Sequence, residues 1–362
     1  MRGAAIERVR AAAYRIPTDG PESDGTLAWD ATTLVVVDVE AGGARGLGYT
    51  YADAAAASVA GGTLADAVAG LDALDPPAAH RAMAVAIRNA GAAGVGGMAL
   101  SAVDVAIWDL KAKLLALPLA TLLGRVRQAV PVYGSGGFCS YAPERLAAQL
   151  GGWAAEGFAA VKMKVGRDPR ADPARVRAAR EAIGQAGLFV DANGAYGRKQ
   201  ALALAEAFAE SGVTWLEEPV SADDLAGLRL VRDRAPPGMD VAAGEYGHDA
   251  RYFRRVLEAG AVDVLQADAT RCGGVTGFLR AAALAAAFGI PLSSHCAPAI
   301  HVHLMCAADT GVHAEWFHDH VRIESALLEG AARPRDGTIA PDPVRPGLGL
   351  ELRRANAERF RV

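Results

Sequence analysis

Residues 188–193, LFVDAN, and residues 213–219, VTWLEEP, decide the fold, because each places a carboxylate directly after a short apolar run. Asp191 ends the first run and Glu217 ends the second, 26 residues later. The same arrangement recurs along the second half of the chain. The polar residues that follow such a run, at intervals of 20 to 28 residues, are Lys164, Asp191, Glu217, Glu245, Asp268, His295 and Glu315.

This interval has the length of one strand, one helix and two short loops. A reactive side chain at the carboxyl end of each successive strand is typical of a (β/α)8 barrel with its active site at that end. The segments between the strands have helical apolar spacing and end near glycines such as Gly184 and Gly289, as helix C-caps do. The pattern therefore predicts an α/β fold with a (β/α)8-type, modified TIM barrel.

The chain has 362 residues, more than one barrel needs, which predicts a further domain. A strand followed by a Gly turn at 32–43 and Ala-rich helical segments up to Pro118 favour an N-terminal α+β capping domain. The expected division is a capping domain at 1–125 with a mobile loop near 20–30, a catalytic barrel at 126–330, and a segment at 331–362 that packs back on the capping domain.

The composition is that of an ordinary globular protein, with 52% hydrophobic residues, 22% charged residues and a net charge of −4. No basic stretch indicates nucleic acid or a membrane surface, and no apolar run is long enough to span a membrane. The N-terminus lacks the apolar core of a signal peptide. The four cysteines have no zinc-like spacing, and a disulfide framework is not expected in a chain of this size. We therefore expect a cytoplasmic protein without nucleic-acid or membrane partners.

Asp191, Glu217 and Glu245 end three consecutive predicted strands, so their carboxylates are expected to converge. Three bare carboxylates would repel one another and raise each other's pKa. A hard divalent cation resolves this repulsion, and ligation by oxygen alone favours Mg²⁺. The alternative is that each residue is an unrelated acid on a surface loop.

Lys162 and Lys164 alternate along one strand and therefore point to the same face, here the barrel interior. Only five of the 37 basic residues are lysines, so two lysines in one strand are notable. The ammonium of Lys162 is expected to lower the pKa of Lys164 toward the working pH and make Lys164 a base. The alternative is an edge strand with exposed lysines.

His295 and Asp268 end consecutive predicted strands. A carboxylate that binds one imidazole nitrogen fixes the tautomer and raises the basicity of the other nitrogen. Glu315 follows one strand later and is expected to form a hydrogen bond to a substrate oxygen. The alternatives are a core histidine with satisfied hydrogen bonds and a carboxylate at the rim. His301 and His303 are expected to begin a helix and not to bind a metal.

The chain resembles the enolase superfamily, in its mandelate racemase-like branch (the mandelate racemase/muconate lactonizing enzyme family). The motifs K-x-K, D-A-N, W-L-E-E-P, G-E, D-A-x-x-x-G-G-V-T and S-S-H occur in the family's order and spacing at 162–164, 191–193, 215–219, 244–245, 268–276 and 293–295. The residues 266–271 have Asp268 and no lysine, unlike the muconate-lactonizing and dipeptide-epimerase branch.

The resemblance implies specific roles. Asp191, Glu217 and Glu245 are implied to bind Mg²⁺, and Lys164 and the His295–Asp268 dyad to be the acid/base pair, with Lys162 beside them. Glu315 is implied to be an electrophilic or hydrogen-bonding group. The capping loop near 20–30 is implied to close over the substrate. Asn193 and Trp29 are expected to contact the substrate, and Asp30, next to Trp29, is a further candidate.

The implied chemistry begins with removal of the proton α to a carboxylate, which gives an aci-carboxylate dianion stabilised by Mg²⁺. The first hypothesis is dehydration of an acid sugar, an aldonate or aldarate, to a 2-keto-3-deoxy acid. The second is racemisation or epimerisation of a 2-hydroxy acid. The third is a catalytically silent barrel that binds a carboxylate. The family resemblance also implies a homo-oligomer.

Overall fold

The computed structural model describes residues 3–362. Its N-terminal part is a three-stranded antiparallel sheet covered by helices. The elements are strands β1 (Arg8–Ser23), β2 (Ala28–Ala41) and β3 (Ala44–Tyr51), followed by helices α1 (Ala55–Val59), α2 (Ala65–Val68), α3 (Pro76–Ala86), α4 (Val95–Leu114) and α5 (Leu119–Leu123), with a π-helical turn at Ala60–Leu64 between α1 and α2.

The alternation of side chains along β2 explains the position of this sheet. Val35, Val37 and Val39 face a core formed with the N-terminal helices. Leu34 and Val36, between and beside them, belong to the core shared with the barrel. Because successive strand residues point to opposite faces, the apolar run buries both faces of the sheet. The N-terminal sheet is therefore fixed between its own helices and the barrel.

The second part is a barrel built from alternating strands and helices, as the periodic sequence predicted. Its elements are β4 (Val130–Gly136), α6 (Pro143–Ala155), β5 (Ala160–Lys164), α7 (Asp172–Ile183), β6 (Gly187–Asp191), α8 (Arg198–Ala209), β7 (Val213–Glu217), α9 (Leu225–Arg234), β8 (Asp240–Ala243), α10 (Ala250–Glu258), β9 (Val264–Ala267), α11 (Gly274–Phe288), β10 (Leu292–Ser294), α12 (Pro298–Ala307), β11 (Gly311–Phe317) and α13 (His318–Leu327).

Strands β4 to β11 are parallel neighbours in chain order, and β11 pairs with β4 to close the barrel. The prediction of a (β/α)8-type barrel with an N-terminal α+β domain is confirmed. The barrel interior contains Tyr133, Phe189 and Trp215, whose rings pack against one another. These large side chains fill the barrel and form the floor below the carboxyl ends of the strands.

The last part of the chain contacts both other parts. Its elements are β12 (Leu328–Glu329), β13 (Thr338–Ile339), β14 (Glu351–Leu352), α14 (Arg354–Ala357) and a 3-10 turn (Glu358–Phe360). Strand β13 pairs with barrel strand β4. Arg361 forms a bridge with Tyr14 of β1, and Arg354 forms an ion pair with Asp38 of β2. The C-terminal segment is thus fixed to the barrel and to the N-terminal sheet.

The loop expected at 20–30 is largely a hairpin, because β1 extends to Ser23 and β2 begins at Ala28. The turn occupies residues 24–27, where the Asp24 side chain accepts hydrogen bonds from the backbone N–H groups of Thr26 and Leu27. Such an Asx turn reverses the chain within few residues. A register shift between Pro17 and Glu22 interrupts the pairing of β1 with β2. The sequence pattern did not reveal this irregularity.

Among residues 3–362, no helix is long and apolar enough to cross a membrane. His301 and His303 lie in helix α12, as expected.

Candidate active site

The parallel register of β5, β6 and β7 brings three predicted site residues side by side. Lys164 lies opposite Asp191, and Asp191 lies opposite Glu217. All three residues are at the last position of their strands. The constant interval in the sequence therefore becomes a row of charged side chains along the carboxyl edge of the barrel.

Glu245 completes a cluster of three buried carboxylates. One ligand atom each from Asp191, Glu217 and Glu245 lies within 4.8 Å of the others. Oε2 of Glu245 is buried and accepts no hydrogen bond from the described residues, although Nε2 of His295 is 3.3 Å away. Three converging oxygen donors, one without a hydrogen-bond partner, fit a hard divalent cation such as Mg²⁺.

The electrostatics of this triad also favour a cation. Burial raises the pKa of Glu217 to about 8, with a further contribution from the negative charge of Asp191. Ionising a carboxyl group with so high a pKa costs free energy, and a cation bound to the carboxylate offsets that cost. Burial also raises the pKa of Asp191, but the charges of Lys164 and Lys162 outweigh burial, so the net pKa of Asp191 lies below its ordinary value. The raised pKa expected from mutual repulsion is therefore present at Glu217 and not at Asp191.

Lys162 is fully buried and holds two carboxylates together. Its Nζ lies 2.7 Å from Glu217 Oε1 and 2.8 Å from Glu315 Oε1. Burial opposes the charged ammonium, but the Glu217 and Glu315 carboxylates outweigh it and raise the pKa of Lys162 well above its ordinary value. Lys162 is therefore a fixed positive charge below the site.

Lys164 lies above Lys162 on the same face, with its Nζ 2.5 Å from Asp191 Oδ2. Burial lowers the pKa of Lys164 and so does the charge of Lys162, as the sequence predicted. Asp191 outweighs both, so the net pKa of Lys164 lies above its ordinary value. The sequence predicted that the pKa of Lys164 is lowered overall. With the charged groups of the protein alone this prediction is wrong, because the sequence did not reveal the direct contact with Asp191.

His295 and Asp268 form the predicted pair at the ends of β10 and β9. His295 Nδ1 is 2.8 Å from Asp268 Oδ2, and Asp268 Oδ1 accepts a hydrogen bond of 2.7 Å from the backbone N–H of Thr270. Burial disfavours the charged imidazolium, but Glu245 and Asp268 outweigh burial and raise the pKa of His295. The other ring nitrogen, Nε2, is left toward Glu245 and the cavity.

Glu315 is held as an ionised acceptor. It contacts Lys162, and its Oε2 accepts a hydrogen bond of 2.7 Å from the backbone N–H of Cys296. Burial raises the pKa of Glu315, but the charge of Lys162 outweighs burial, so this pKa lies well below its ordinary value. Glu315 therefore suits hydrogen-bond acceptance better than donation.

A cavity of about 450 Å³ lies above these residues, between the barrel and the N-terminal sheet. Asn193 and Trp29, the two residues expected to contact a substrate, both line it. Trp29 Nε1 donates a hydrogen bond of 2.8 Å to Glu22, so the indole presents mainly its ring to the cavity. Asp30 forms an ion pair with Arg15 and does not line the cavity.

Arg271 is a site residue that the sequence reasoning did not identify. Its Nη1 is 3.4 Å from Glu245 Oε1, and its Nε is 3.7 Å from Asp268 Oδ2. The guanidinium therefore links the carboxylate triad to the His295–Asp268 pair. The sequence does contain a signal that could have identified Arg271. The residue lies three positions after Asp268, in the same turn at the strand end.

Comparison with known proteins agrees with this geometry. The fold and side chains define a capped (β/α) barrel with a carboxylate metal triad. Residues 12–124 match the mandelate racemase / muconate lactonizing enzyme N-terminal domain, and residues 145–356 match the enolase C-terminal domain-like family. The chain belongs to the mandelate racemase/muconate lactonizing enzyme family of the enolase superfamily.

Three similar proteins illustrate the relationship. The chain is 36% identical to a 3,6-anhydro-alpha-L-galactonate cycloisomerase of Streptomyces coelicolor, over 96% of this chain and 97% of that protein. A mandelate racemase/muconate lactonizing enzyme-like protein from Rubrobacter xylanophilus has a TM-score of 0.97 at 55% identity, over 99% and 100% of the two chains. L-talarate/galactarate dehydratase from Salmonella typhimurium, liganded with Mg, has a TM-score of 0.91 at 28% identity, over 100% and 94%.

Proposed function

We propose that the protein is a Mg²⁺-dependent enzyme that removes the proton α to a carboxylate and dehydrates an acid sugar, an aldonate or aldarate, to a 2-keto-3-deoxy acid. One observation carries the proposal: a lysine on β5 and a His–Asp pair on β10 and β9 flank a buried carboxylate triad. The named activities of the cycloisomerase and dehydratase relatives support it.

In this proposal Asp191, Glu217 and Glu245 are the residues that bind Mg²⁺. Bound Mg²⁺ would neutralise part of the charge of the Asp191 carboxylate, which otherwise holds the proton on Lys164. The ion would also stabilise the negative charge that develops on the substrate carboxylate. The Mg-liganded dehydratase relative supports this choice of ion.

The proton transfers belong to the residues of the chain. Neutral Lys164 accepts the α proton, and the C–H electron pair moves onto the substrate carboxylate. The return of this electron pair forms the double bond to the β carbon as the bond between the β carbon and its hydroxyl oxygen breaks. His295, as an imidazolium, donates its Nε2 proton to the β-hydroxyl, which leaves as water. The resulting enol tautomerises to the 2-keto-3-deoxy acid. Asp268 holds the ring of His295 in place throughout.

The remaining predicted residues have supporting roles. Lys162 keeps Glu217 and Glu315 at fixed positions. Glu315 accepts a hydrogen bond from a substrate hydroxyl, while Asn193 and Trp29 contact the substrate chain. The N-terminal domain at 1–125 covers the cavity, and the segment at 331–362 fixes it to the barrel at 126–330. Assembly into a homo-oligomer stays a prediction, which light scattering after size exclusion would test.

One feature favours a second candidate, a racemase or epimerase of a 2-hydroxy acid. Lys164 ends strand β5 and His295 follows strand β10, and two strands, β4 and β11, separate β5 from β10 on the shorter way around the barrel. Bases on two sides of one carbon can remove a proton from one face and return it to the other.

A screen of sugar acids and small 2-hydroxy acids in D₂O with Mg²⁺ tests both candidates. Proton NMR reports exchange of the α proton, and a 2-keto-acid assay reports dehydration. Formation of a keto acid is the result expected of the dehydratase. Deuterium at the α carbon without a keto acid would favour the racemase or epimerase. The absence of both signals throughout the library would contradict the proposed function.

A further inference from the structure

The cavity above the site has two halves of different chemistry. The half formed by the barrel contains the charged residues of the reaction centre, including Lys164, Glu245 and His295. The opposite half is formed by the hairpin β1–β2 and by the residues that follow β3. The polar residues of this second half, here called the cap wall, are Asp24, Thr32, Thr33 and Asp53.

The position of a substrate in this cavity follows from the proposed function, on which this inference rests. The carboxylate lies at the triad, and the α carbon lies between Lys164 and His295. The remaining chain of the substrate must then leave the barrel and extend toward the cap wall. The chemistry of the cap wall therefore selects the distal end of the substrate.

The cap wall carries no positive charge. Among the described residues of the hairpin and of the segment after β3 that line the cavity, there is no lysine, arginine or histidine. Two of its residues, Asp24 and Asp53, carry carboxylates instead. A second carboxylate at the distal end of a substrate would meet like charges, which disfavours binding in a partly enclosed cavity.

The cations elsewhere in the cavity are already engaged by carboxylates. Arg271 lies between Glu245 and Asp268 at 3.4 and 3.7 Å. The Lys164 ammonium contacts Asp191 at 2.5 Å. None of these cations belongs to the cap wall, so each would have to leave its carboxylate to reach a distal anion.

A further histidine, His320 of α13, also lines the cavity. It is buried and stacks on Tyr51, with ring centroids 3.4 Å apart. Burial lowers the pKa of His320 well below its ordinary value, and the nearby charge of His295 adds to this effect. A neutral imidazole can form hydrogen bonds with hydroxyl groups but offers no charge to a second carboxylate.

The cavity is also lined by apolar side chains, both from the hairpin β1–β2 and from the barrel strand β11. Leu27 is 61% exposed at the hairpin turn, and Trp29 packs edge-on against Phe138 with ring centroids 5.5 Å apart. Phe317 lines the same cavity. Apolar rings suit the C–H face of a sugar, whereas the threonine hydroxyls and the aspartates suit its hydroxyl groups.

We infer that the substrate is a monocarboxylate with a neutral, hydroxylated distal end, an aldonate or a cyclic aldonate derivative, and not an aldarate with a second carboxylate. The two named relatives differ in this respect, because a galactonate has one carboxylate and a galactarate has two. The inference narrows the substrate class of the proposed active site.

Matched pairs that differ only at the distal carbon test the inference. The probes are D-gluconate with D-glucarate and D-galactonate with D-galactarate, in the presence of Mg²⁺. Kd is measured by calorimetry, and turnover by the keto-acid assay. The aldonate of at least one pair is expected to bind about tenfold more tightly than its aldarate.

The outcomes separate this inference from the proposed function. Tight aldonate binding without turnover or α-proton exchange would contradict the proposed function and support the inference. Equal or preferred binding of the aldarate, with turnover, would overturn the inference and leave the function standing. Binding of no member of either pair would overturn the inference as well.

Two substitutions test the role of the cap wall directly. Asp24→Asn and Asp53→Asn remove the charges but keep an acceptor for the backbone N–H of Leu27 and of Ala55, respectively. In the double variant, the ratio of aldarate to aldonate affinity is expected to rise about tenfold. Asp66→Asn, at an exposed position of α2 outside the cavity, is the matched control. An unchanged ratio in the double variant would overturn the inference.

Discussion

His295 Nδ1 lies 2.8 Å from Asp268 Oδ2, and the two residues follow neighbouring parallel strands. The contact fixes which imidazole nitrogen faces the carboxylate and leaves Nε2 for proton transfer. Burial raises the pKa of Asp268, but the hydrogen bond and the charge of His295 outweigh burial, so the net pKa lies below the ordinary range. Asp268 therefore stays ionised and acts by holding His295.

Replacing Asp268 with Asn should preserve the hydrogen bond from Thr270 but remove the charge that supports the imidazolium. We expect kcat to fall by about 10²- to 10⁴-fold, because an amide can hold the wrong tautomer. Steady-state kinetics with the substrate found in the screen measures this change. Asp309→Asn, at an exposed position, is the control. A fall of less than about threefold would contradict the role of Asp268.

Replacing Lys164 with Ala should abolish α-proton exchange from one face of the substrate only, because His295 remains on the other side. With each epimer of a substrate in D₂O, NMR should then show exchange for one epimer and none for the other. His295→Ala should show the opposite preference. Lys199→Ala, an exposed lysine on α8, is the control. Exchange that persists with both epimers in Lys164→Ala would exclude Lys164 as a base.

Mg²⁺ binding should depend on pH, because the pKa of Glu217 is raised to about 8 by burial and then by Asp191. We therefore expect the apoprotein to carry a proton on Glu217 below that pH, which Mg²⁺ must displace, so affinity should rise with pH up to about 8 and then level off. The slope below the pKa is expected to approach about tenfold per pH unit for one proton.

Calorimetry in two buffers of different ionisation enthalpy would count the protons released on Mg²⁺ binding. Glu217→Gln should weaken Mg²⁺ binding and remove this pH dependence, whereas Glu210→Gln, at an exposed position, should change neither. An affinity for Mg²⁺ that is constant between pH 6 and 8, measured at fixed ionic strength, would contradict the assignment of the raised pKa to the metal site.

The sequence predicted the barrel and the neighbourhood of Lys164, Asp191 and Glu217, because a strand fixes both the spacing and the face of its residues. It did not predict Arg271, whose role depends on how a long side chain folds back between Glu245 and Asp268. It also missed the net pKa of Lys164, which depends on an ångström-scale contact with Asp191. Period and spacing determine which strand end a residue occupies, whereas side-chain contacts depend on tertiary packing.

The hairpin turn was likewise predicted only as a loop, although Gly25 within it has a specific packing reason. A Cβ at Gly25 would lie 2.7 Å from the carbonyl oxygens of both Ala192 and Val165. These carbonyls belong to the loops that follow β6 and β5, next to Asp191 and Lys164. The backbone of the hairpin turn therefore approaches the reaction centre as closely as only glycine permits.

Gly25→Ala should accordingly displace the hairpin turn and open the cavity to water. Because small displacements of positioning groups reduce catalysis strongly, we expect kcat/KM to fall about tenfold or more. The hairpin is exposed at its turn, so the melting temperature should change by no more than about 2 °C. Gly62→Ala, where a Cβ would meet nothing within 4 Å, is the matched control. If Gly25→Ala retained the kcat/KM of this control, close packing of the turn would have no part in substrate binding or catalysis.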